Sequence, residues 1–359
     1  MSETLGTGRP VDDGPPLLRG PGTWSVTWGG VRTLTVLELR QRIRSARWVI
    51  VVGFWALTVG ALSSLIRWAA MTSQTERDSA GALMYGTVLL LVLSLASLVS
   101  PALSATSVNG DRSAGVLAIM QSTLLSPAEL ALGKLLAAWT SALVLFAVTL
   151  PFLFWAFLEG GTSGGRFVIT TVLTAFTLLV VCAVGLMFSA LTARTSTSAA
   201  LTYLTVAFLG VGLPLVFVLG LAIVRSDDTF RQQYRAYGSD ECQLELVTES
   251  RAHTEKTWWL LAPSPYVIVS DAAPARHDLG DPLSIIRSAV REARLGPPID
   301  EDYCSESRDE DRAAERDAQP AVWPLGVAVD GLVLVGSVVV TVRRLRSPSR
   351  ALPRGSRVA

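Results

Sequence analysis

Residues 82–104 read ALMYGTVLLLVLSLASLVSPALS, and the stretch at 109–134 reads NGDRSAGVLAIMQSTLLSPAELALGK. The first stretch is apolar and close to the roughly 20 residues that a helix needs to cross a bilayer core. The second stretch is a polar island, because it separates this apolar run from another long one that begins at residue 131. A structured polar segment tied to two membrane-crossing helices is a place where a soluble partner can act on them.

The composition of the whole chain also indicates a membrane protein. Of its 359 residues, 50% are hydrophobic and 17% are charged, and the mean hydropathy is +0.42. Soluble domains typically contain about 25% charged residues. The apolar runs predict six spans, at roughly 48–66, 82–104, 131–158, 167–191, 199–224 and 322–342. We therefore expect an all-α integral membrane protein with six transmembrane helices, an N-terminal interfacial helix and a large extracytoplasmic segment between helices five and six.

The distribution of arginine predicts the orientation. Positive charge near the ends of spans stays in the cytoplasm. Arginines precede the first span and follow the last, at Arg40, Arg42, Arg44, Arg47, Arg343, Arg344 and Arg346. Six spans place both termini on one side, so the count and the charge agree on cytoplasmic termini.

This orientation gives a predicted domain organisation. It comprises a disordered cytoplasmic tail (1–31), an interfacial amphipathic helix (32–47), helices one to five (48–224) with a cytoplasmic coupling segment (106–130), an extracytoplasmic domain (225–321), helix six (322–342) and a basic cytoplasmic tail (343–359).

The interfacial helix is predicted from a stripe of apolar residues. Val36, Leu39, Ile43 and Ala46 recur at helical spacing, with arginines on another face. This pattern is typical of a helix lying in the headgroup layer. An ordinary polar extension of the first span remains the alternative.

The extracytoplasmic domain shows one clear helix signal. Asp281 and Pro282 predict a helix start, and Gly296 predicts its end. The apolar stretch 258–270 is too short to span and is interpreted as interfacial or re-entrant. The run 305–318 is interpreted as a solvated charged segment.

The cysteines and histidines sort by their place in this topology. Cys182 lies in the fourth span, where packing is the expected role. Cys242 and Cys304 lie in the segment placed outside, where oxidation is favoured, and we predict a disulfide between them. Two free thiols too far apart to bond are the alternative. His253 and His277 are interpreted as surface residues, and no metal site is expected.

Asp330 is a carboxylate in the sixth span. An ionised carboxylate facing lipid at mid-bilayer is costly, so we expect Asp330 to face protein or water. The alternative is a span that sits lower and leaves Asp330 near the outer headgroups.

A helix start lies inside the polar island. Ser126, Pro127 and Glu129 form the pattern of a capping box, in which the serine caps the helix and the glutamate reaches back to the cap. A helix should therefore begin at Pro127 and run into the third span. A simple interhelical loop is the alternative. Gly133 and Lys134 do not form a phosphate-binding loop, because Leu135 follows and the upstream glycine is missing.

At these residues the chain resembles the permeases of type-2 ATP-binding cassette (ABC) transporters. That family has an acid-Arg-x-x-Gly-Thr-Leu-x-x-Leu pattern after span two, then Thr-Pro-Leu-Ser, an acid and Gly-Lys. The matching positions are Asp111, Arg112, Gly115, Leu117, Met120, Thr123, Leu125, Ser126, Glu129, Gly133 and Lys134. The chain departs from the pattern at Val116 for Thr, Ala118 for an acid and Leu124 for Pro.

The resemblance implies a non-enzymatic permease half in the plasma membrane. It implies a second permease half, identical or different, and a cytoplasmic ABC ATPase that binds ATP and Mg, with no cofactor in this chain. Export is the usual direction of transport in this family. Membrane lipid is a further expected partner, and nucleic acid is not. The ATPase-coupling residues would be Asp111, Arg112, Gly115, Leu117, Met120, Gln121 and Glu129. The alternatives are an ion-coupled secondary transporter and a membrane-anchored sensor built around the extracytoplasmic domain.

Overall fold

The computed structural model of the protein describes residues 22–72, 77–117, 125–235, 242–273, 281–305 and 307–346. Within these ranges, six helical stretches are long and apolar enough to cross a membrane, which confirms the predicted number of spans. The helices are α1 (Trp28–Ile43), α2 (Ala46–Thr72), α3 (Arg77–Ser104), α4 (Ser107–Ser113), α5 (Pro127–Leu158), α6 (Gly164–Leu191), α7 (Thr195–Ala207), α8 (Leu213–Gly220), α9 (Pro265–Ala272), α10 (Pro282–Leu295), α11 (Arg308–Ala318) and α12 (Trp323–Leu345).

The centre of the bundle is built from α3, α5 and α6, and α12 packs against α5 and α6. Small residues allow some of these helices to approach closely. A Cβ atom added at Gly185 of α6 would lie 2.1 Å from Ser104 Oγ of α3. A larger residue at this position would therefore push the two helices apart.

Two spans lie at the edge of the bundle. The helix α2 and the span formed by α7 and α8 have the smallest buried share of the six. A π-helical turn, Phe208–Gly212, joins α7 to α8 and lies just before Pro214. Both edge spans expose large apolar side chains, among them Phe54, Leu57 and Trp68 of α2 and Leu204, Val211 and Leu219 of the α7–α8 span.

The prediction of an all-α protein is wrong for the segment 225–321, which contains a three-stranded sheet. Strands β1 (Arg225–Arg235) and β2 (Cys242–Ala252) form a long antiparallel hairpin, and β3 (Asp300–Asp302) pairs in parallel with β1 in the order β2-β1-β3.

The sequence of β1 does not show the alternation of apolar and polar residues that would predict a strand. It reads RSDDTFRQQYR, and Phe230 is its one buried residue. The guanidinium of Arg251, from β2, lies 3.1 Å from the centre of the Phe230 ring. The strand is therefore stabilised by pairing and stacking between distant residues rather than by an apolar alternation of its own.

The helix predicted from Asp281 to Gly296 is confirmed as α10. Asp281 Oδ1 accepts hydrogen bonds from Leu283 N at 3.0 Å and Ser284 N at 3.3 Å, and Gly296 ends the helix with a φ of 79°. The charged run, interpreted as solvated, contains the exposed helix α11. Acidic residues lie in the first turn of α11 and Arg316 lies in its last turn. These charges interact favourably with the helix dipole and stabilise the helix.

Two buried aspartates fasten the segment 225–321 to the spans. Arg166 of α6 donates to Asp281 at 2.6 Å, and Arg291 of α10 donates to Asp271 at 2.7 Å. Asp271 Oδ2 also accepts from the backbone N–H groups of Val322, at 2.6 Å, and Trp323, at 2.9 Å. Each aspartate thus combines an ion pair with the capping of a helix N-terminus.

The N-terminal helix begins four residues earlier than the predicted boundary at residue 32. Thr27 is its N-cap, and the Thr27 hydroxyl accepts a hydrogen bond from Gly30 N at 3.2 Å. The sequence boundary was set by the apolar stripe, which begins later than the cap.

Candidate functional site

The capping box at the start of α5 is confirmed. Ser126 Oγ accepts a hydrogen bond from Glu129 N at 3.0 Å, and Glu129 Oε2 accepts one from Ser126 N at 2.8 Å. Glu129 is only 3% exposed. The polar island therefore contains a helix start at which the Ser126 and Glu129 backbone N–H groups are both hydrogen-bonded.

The carboxylate of Glu129 also holds the start of α1. Its Oε1 accepts hydrogen bonds from Thr27 N at 2.7 Å and from Thr27 Oγ1 at 2.5 Å. Ser126 Oγ donates to the backbone oxygen of Ser25 at 2.5 Å. One carboxylate thus joins the N-terminal ends of two helices that lie about 100 residues apart in sequence.

A buried lysine links three helices at the same end of the bundle. Lys134 of α5 is 1% exposed, and its Nζ donates to Glu38 of α1 at 2.6 Å and to Asp111 of α4. An isolated charge at this depth would be strongly unfavourable, so the two carboxylates stabilise the buried ammonium. The Lys134 link, as we call this set of three side chains, ties α4 to α1 and α5.

The short helix α4 is also fixed to α6. Ser189 Oγ accepts hydrogen bonds from Val108 N at 2.9 Å and Asn109 N at 3.2 Å, and it donates to Asn109 Oδ1 at 3.2 Å. These bonds satisfy backbone donors of α4 that have no partner within so short a helix. A displacement of α4 must therefore move α6 as well or break these bonds.

The second half of α1 reaches the membrane spans through Arg42. Its guanidinium donates to Ser141 Oγ of α5 at 3.1 Å and to Leu103 O of α3 at 3.0 Å. Burial lowers the pKa of Arg42, and the nearby Glu38 carboxylate offsets part of this effect. The helix α1 is therefore held to the bundle at its start, middle and end.

The structure places the predicted coupling residues in different surroundings. Asp111 turns inward to Lys134, whereas Arg112 is half-buried and makes no ion pair with any residue in the described ranges. Gly115 adopts a φ of 72° after the end of α4, and Leu117 is buried. Met120 and Gln121 lie outside the described residues.

Local sequence patterns do not reveal the contacts that Glu38, Thr27, Arg42 and Ser189 make with other helices. The partners in these contacts lie between 61 and 102 positions away in the chain, whereas the cap that Thr27 forms with Gly30 is local. Lys134 offered one signal. A lysine eight residues into a membrane helix is rare unless it is paired.

Two further predicted sites lie away from this end. Asp330 is 2% exposed and packs inside the protein, and its Oδ1 atom has no hydrogen-bond partner in the part of the chain that the structure describes. Cys242 and Cys304 are joined in a disulfide, with Cα atoms 6.3 Å apart, which is the predicted pairing. In the ranges described, no group of three or more His, Cys, Asp and Glu residues is placed to hold a metal ion.

Comparison with known proteins identifies the family. A family model described as "ABC-2 family transporter protein" matches residues 32–295, which is more than half of the chain. The chain therefore belongs to the ABC-2 transporter family, and it is a multi-pass membrane permease of an ABC transporter. A search of curated proteins gave no match.

Proposed function

We propose that this chain is the membrane-spanning half of an ABC exporter, driven by ATP hydrolysis in a separate cytoplasmic ATPase. The observation that carries the proposal is the Lys134 link, which fastens the short helix α4 to α1 and α5. A force on α4 would thereby reach two other helices directly, and α6 through Ser189.

The proposed mechanism is a population shift. An ATPase that binds one permease state better than another shifts the equilibrium between them by its differential affinity. A difference of about 5.5 kcal/mol is enough to reverse a 99:1 ratio. The ion pairs and capping bonds at α4, α1 and α5 would make these elements move as one unit.

We assign different roles to the two charged residues of α4. Arg112 has no ion pair in the described part of the chain and would contact the ATPase directly. Asp111 is engaged by Lys134 and would act by positioning α4. Gly115, Met120 and Gln121 complete the proposed contact segment, and the buried Leu117 would hold this segment against the bundle.

The proposed topology places this end of the bundle in the cytoplasm of the cell. Arginines close to the ends of the first and last spans support cytoplasmic termini in the plasma membrane. The segment 225–321 would then lie outside, where the Cys242–Cys304 disulfide is chemically stable.

A second permease half is the proposed partner within the membrane. The edge spans, α2 and α7–α8, are poorly covered by the rest of the chain. Substrate would cross between the two halves. Exposed apolar side chains on both edge spans support contact with lipid or with this partner.

The test compares Arg112→Glu with Arg194→Glu. Arg194 is an exposed arginine in the short loop between α6 and α7, and its exchange alters the charge equally. Membranes from cells that express each variant would be solubilised. The amount of copurifying ABC ATPase would then be compared with the amount that copurifies with the unmodified chain. We expect Arg112→Glu to lose the ATPase, whereas Arg194→Glu retains it.

Two outcomes would contradict the proposal. Normal ATPase retention by Arg112→Glu would exclude α4 as the contact. Equal loss in both variants would indicate a general effect of charge at this membrane face. Equal amounts of membrane-inserted chain in both variants are the control for folding.

A further inference from the structure

The helix α1 has two faces with different surroundings. Val31, Leu34, Glu38 and Arg42 lie on one side and contact the bundle. The opposite side is exposed along the whole helix. A Cβ at Gly133 would meet Leu34 Cδ2 at 2.7 Å, so α1 lies very close to α5 and its free face points away from it.

The free face alternates apolar and basic side chains. Its large exposed apolar residues are Trp28 (73%), Val36 (37%), Leu37 (47%) and Ile43 (60%). Its exposed basic residues are Arg32, Arg40 and Arg44. At 100° per residue all seven fall within one half of the helix, opposite Val31 and Leu34.

No described residue compensates the charge of the free face. Glu38 is the one acidic residue in the sequence of α1, and it is engaged by Lys134 on the other face. None of Arg32, Arg40 and Arg44 makes an ion pair with any residue in the described ranges. A neutral surface would satisfy the apolar side chains but would leave the three guanidinium groups without a counter-charge.

We infer that the free face of α1 binds anionic phospholipid headgroups. The apolar side chains would insert at the level of the acyl chains, and the arginines would contact lipid phosphate. Guanidinium groups are suited to phosphate because they are planar and donate several hydrogen bonds. The inference rests on the predicted placement of α1 in the headgroup layer and adds the class of lipid.

Binding at this face would affect the proposed transport mechanism. Glu38 and Arg42 lie on the opposite face of the same helix and connect it to Lys134, Ser141 and α3. A headgroup layer that holds α1 would thereby hold one anchor of the Lys134 link. The anionic lipid content of the membrane would then influence how α4 transmits movement.

The experiment measures lipid binding to the full chain by native mass spectrometry. The protein in detergent would be mixed with phosphatidylglycerol or with phosphatidylcholine of identical acyl chains, and the lipids that stay bound after release from the detergent would be counted. A basic residue near an anionic surface contributes about fivefold to binding, so Arg40→Gln/Arg44→Gln should lower the preference for phosphatidylglycerol roughly 25-fold. The matched control, Arg231→Gln/Arg235→Gln, removes two exposed arginines of equal spacing from β1.

A second variant separates the lipid class from the placement of the helix. Leu37→Asn/Ile43→Asn removes apolar side chains without changing the charge, and we expect weaker binding of both lipids. If this variant retains both lipids, the headgroup-layer placement of α1 is wrong. If it loses both while Arg40→Gln/Arg44→Gln keeps its phosphatidylglycerol preference, the placement stands and the anionic class is wrong.

A final comparison identifies the source of the phosphate. Soluble glycerol phosphate at millimolar concentration should not displace the lipid, because it lacks the acyl chains that the apolar residues contact. Complete displacement would overturn the inference in favour of a site for free phosphate. An equal effect of the Arg231→Gln/Arg235→Gln control would overturn it in favour of nonspecific charge. Neither result would bear on the contact between α4 and the ATPase.

Discussion

Replacing Lys134 by methionine tests the link that joins α4 to α1 and α5. The substitution keeps an unbranched side chain of similar length but removes the buried charge. Glu38 and Asp111 would then lose their shared ammonium, and Glu38 would keep only the nearby guanidinium of Arg42. We expect the free energy of unfolding to fall and the coupling of α4 to the other helices to weaken.

The expected magnitude follows from the exposure of the three side chains. Removing one partner of a buried ion pair costs about 3–5 kcal/mol, because the other charge stays buried and unpaired. Here the side chains of Glu38 and Asp111 are 14% and 27% exposed, so water can solvate part of the charge that remains. We therefore expect a smaller loss, of about 1–2 kcal/mol, after allowance for solvent screening.

The assay is thermal unfolding of the full chain in detergent, followed by tryptophan fluorescence, together with ATPase copurification. Lys256→Met is the matched control, because Lys256 is exposed and lies in the segment 225–321. The variant Asp111→Asn, alone and combined with Lys134→Met, completes a double-mutant cycle. Once Lys134 is absent, Asp111→Asn should cost little further or should relieve repulsion.

Two results would refute the reasoning. Strict additivity of Lys134→Met and Asp111→Asn would show that the two side chains do not interact energetically. A stability of Lys134→Met equal to that of the unmodified chain, with normal ATPase binding, would show that the link neither stabilises the protein nor transmits force.

Two other predictions concern the opposite end of the bundle and the sixth span. Reduction of the Cys242–Cys304 disulfide should destabilise the segment 225–321 by about 4 kcal/mol in the chain-entropy model, since 62 residues separate the cysteines. Faster proteolysis of the segment after reduction would show this, and labelling of both thiols in unreduced intact cells would contradict the bridge. Asp330→Asn should retain membrane insertion and should keep or raise the midpoint of thermal unfolding, because the Oδ1 atom of this buried carboxylate has no hydrogen-bond partner among the described residues. A lower midpoint for Asp330→Asn would contradict this expectation.

The spans and the helix starts could be predicted because their causes are local. A helix must satisfy its own backbone hydrogen bonds in lipid, so a long apolar run is sufficient to indicate a span. The capping box at Ser126 and Glu129 and the cap at Asp281 also lie within three residues of the groups they bind. Such contacts can be recognised in sequence without knowledge of the fold.

The sheet could not be predicted in the same way. Strand β1 depends on a register with β2 that places Phe230 opposite Val247 and under Arg251. Its own residues are mostly polar, so its sequence contains no alternation to mark a buried face. The partner strand β2 reaches β1 only when the chain has folded back on itself.

The sequence by itself determined the membrane class, the six spans and the helix starts at Pro127 and Pro282, because hydropathy and capping act over a few residues. It also indicated which segment contains the candidate functional site. The tertiary structure alone decided what each charge in that segment does. Asp111 and Arg112 are adjacent, yet one is bound by Lys134 and the other has no ion pair in the described ranges. The difference arises because packing brings Glu38, Asp111 and Lys134 together from three helices, and a buried charge is stable only where its partners meet it.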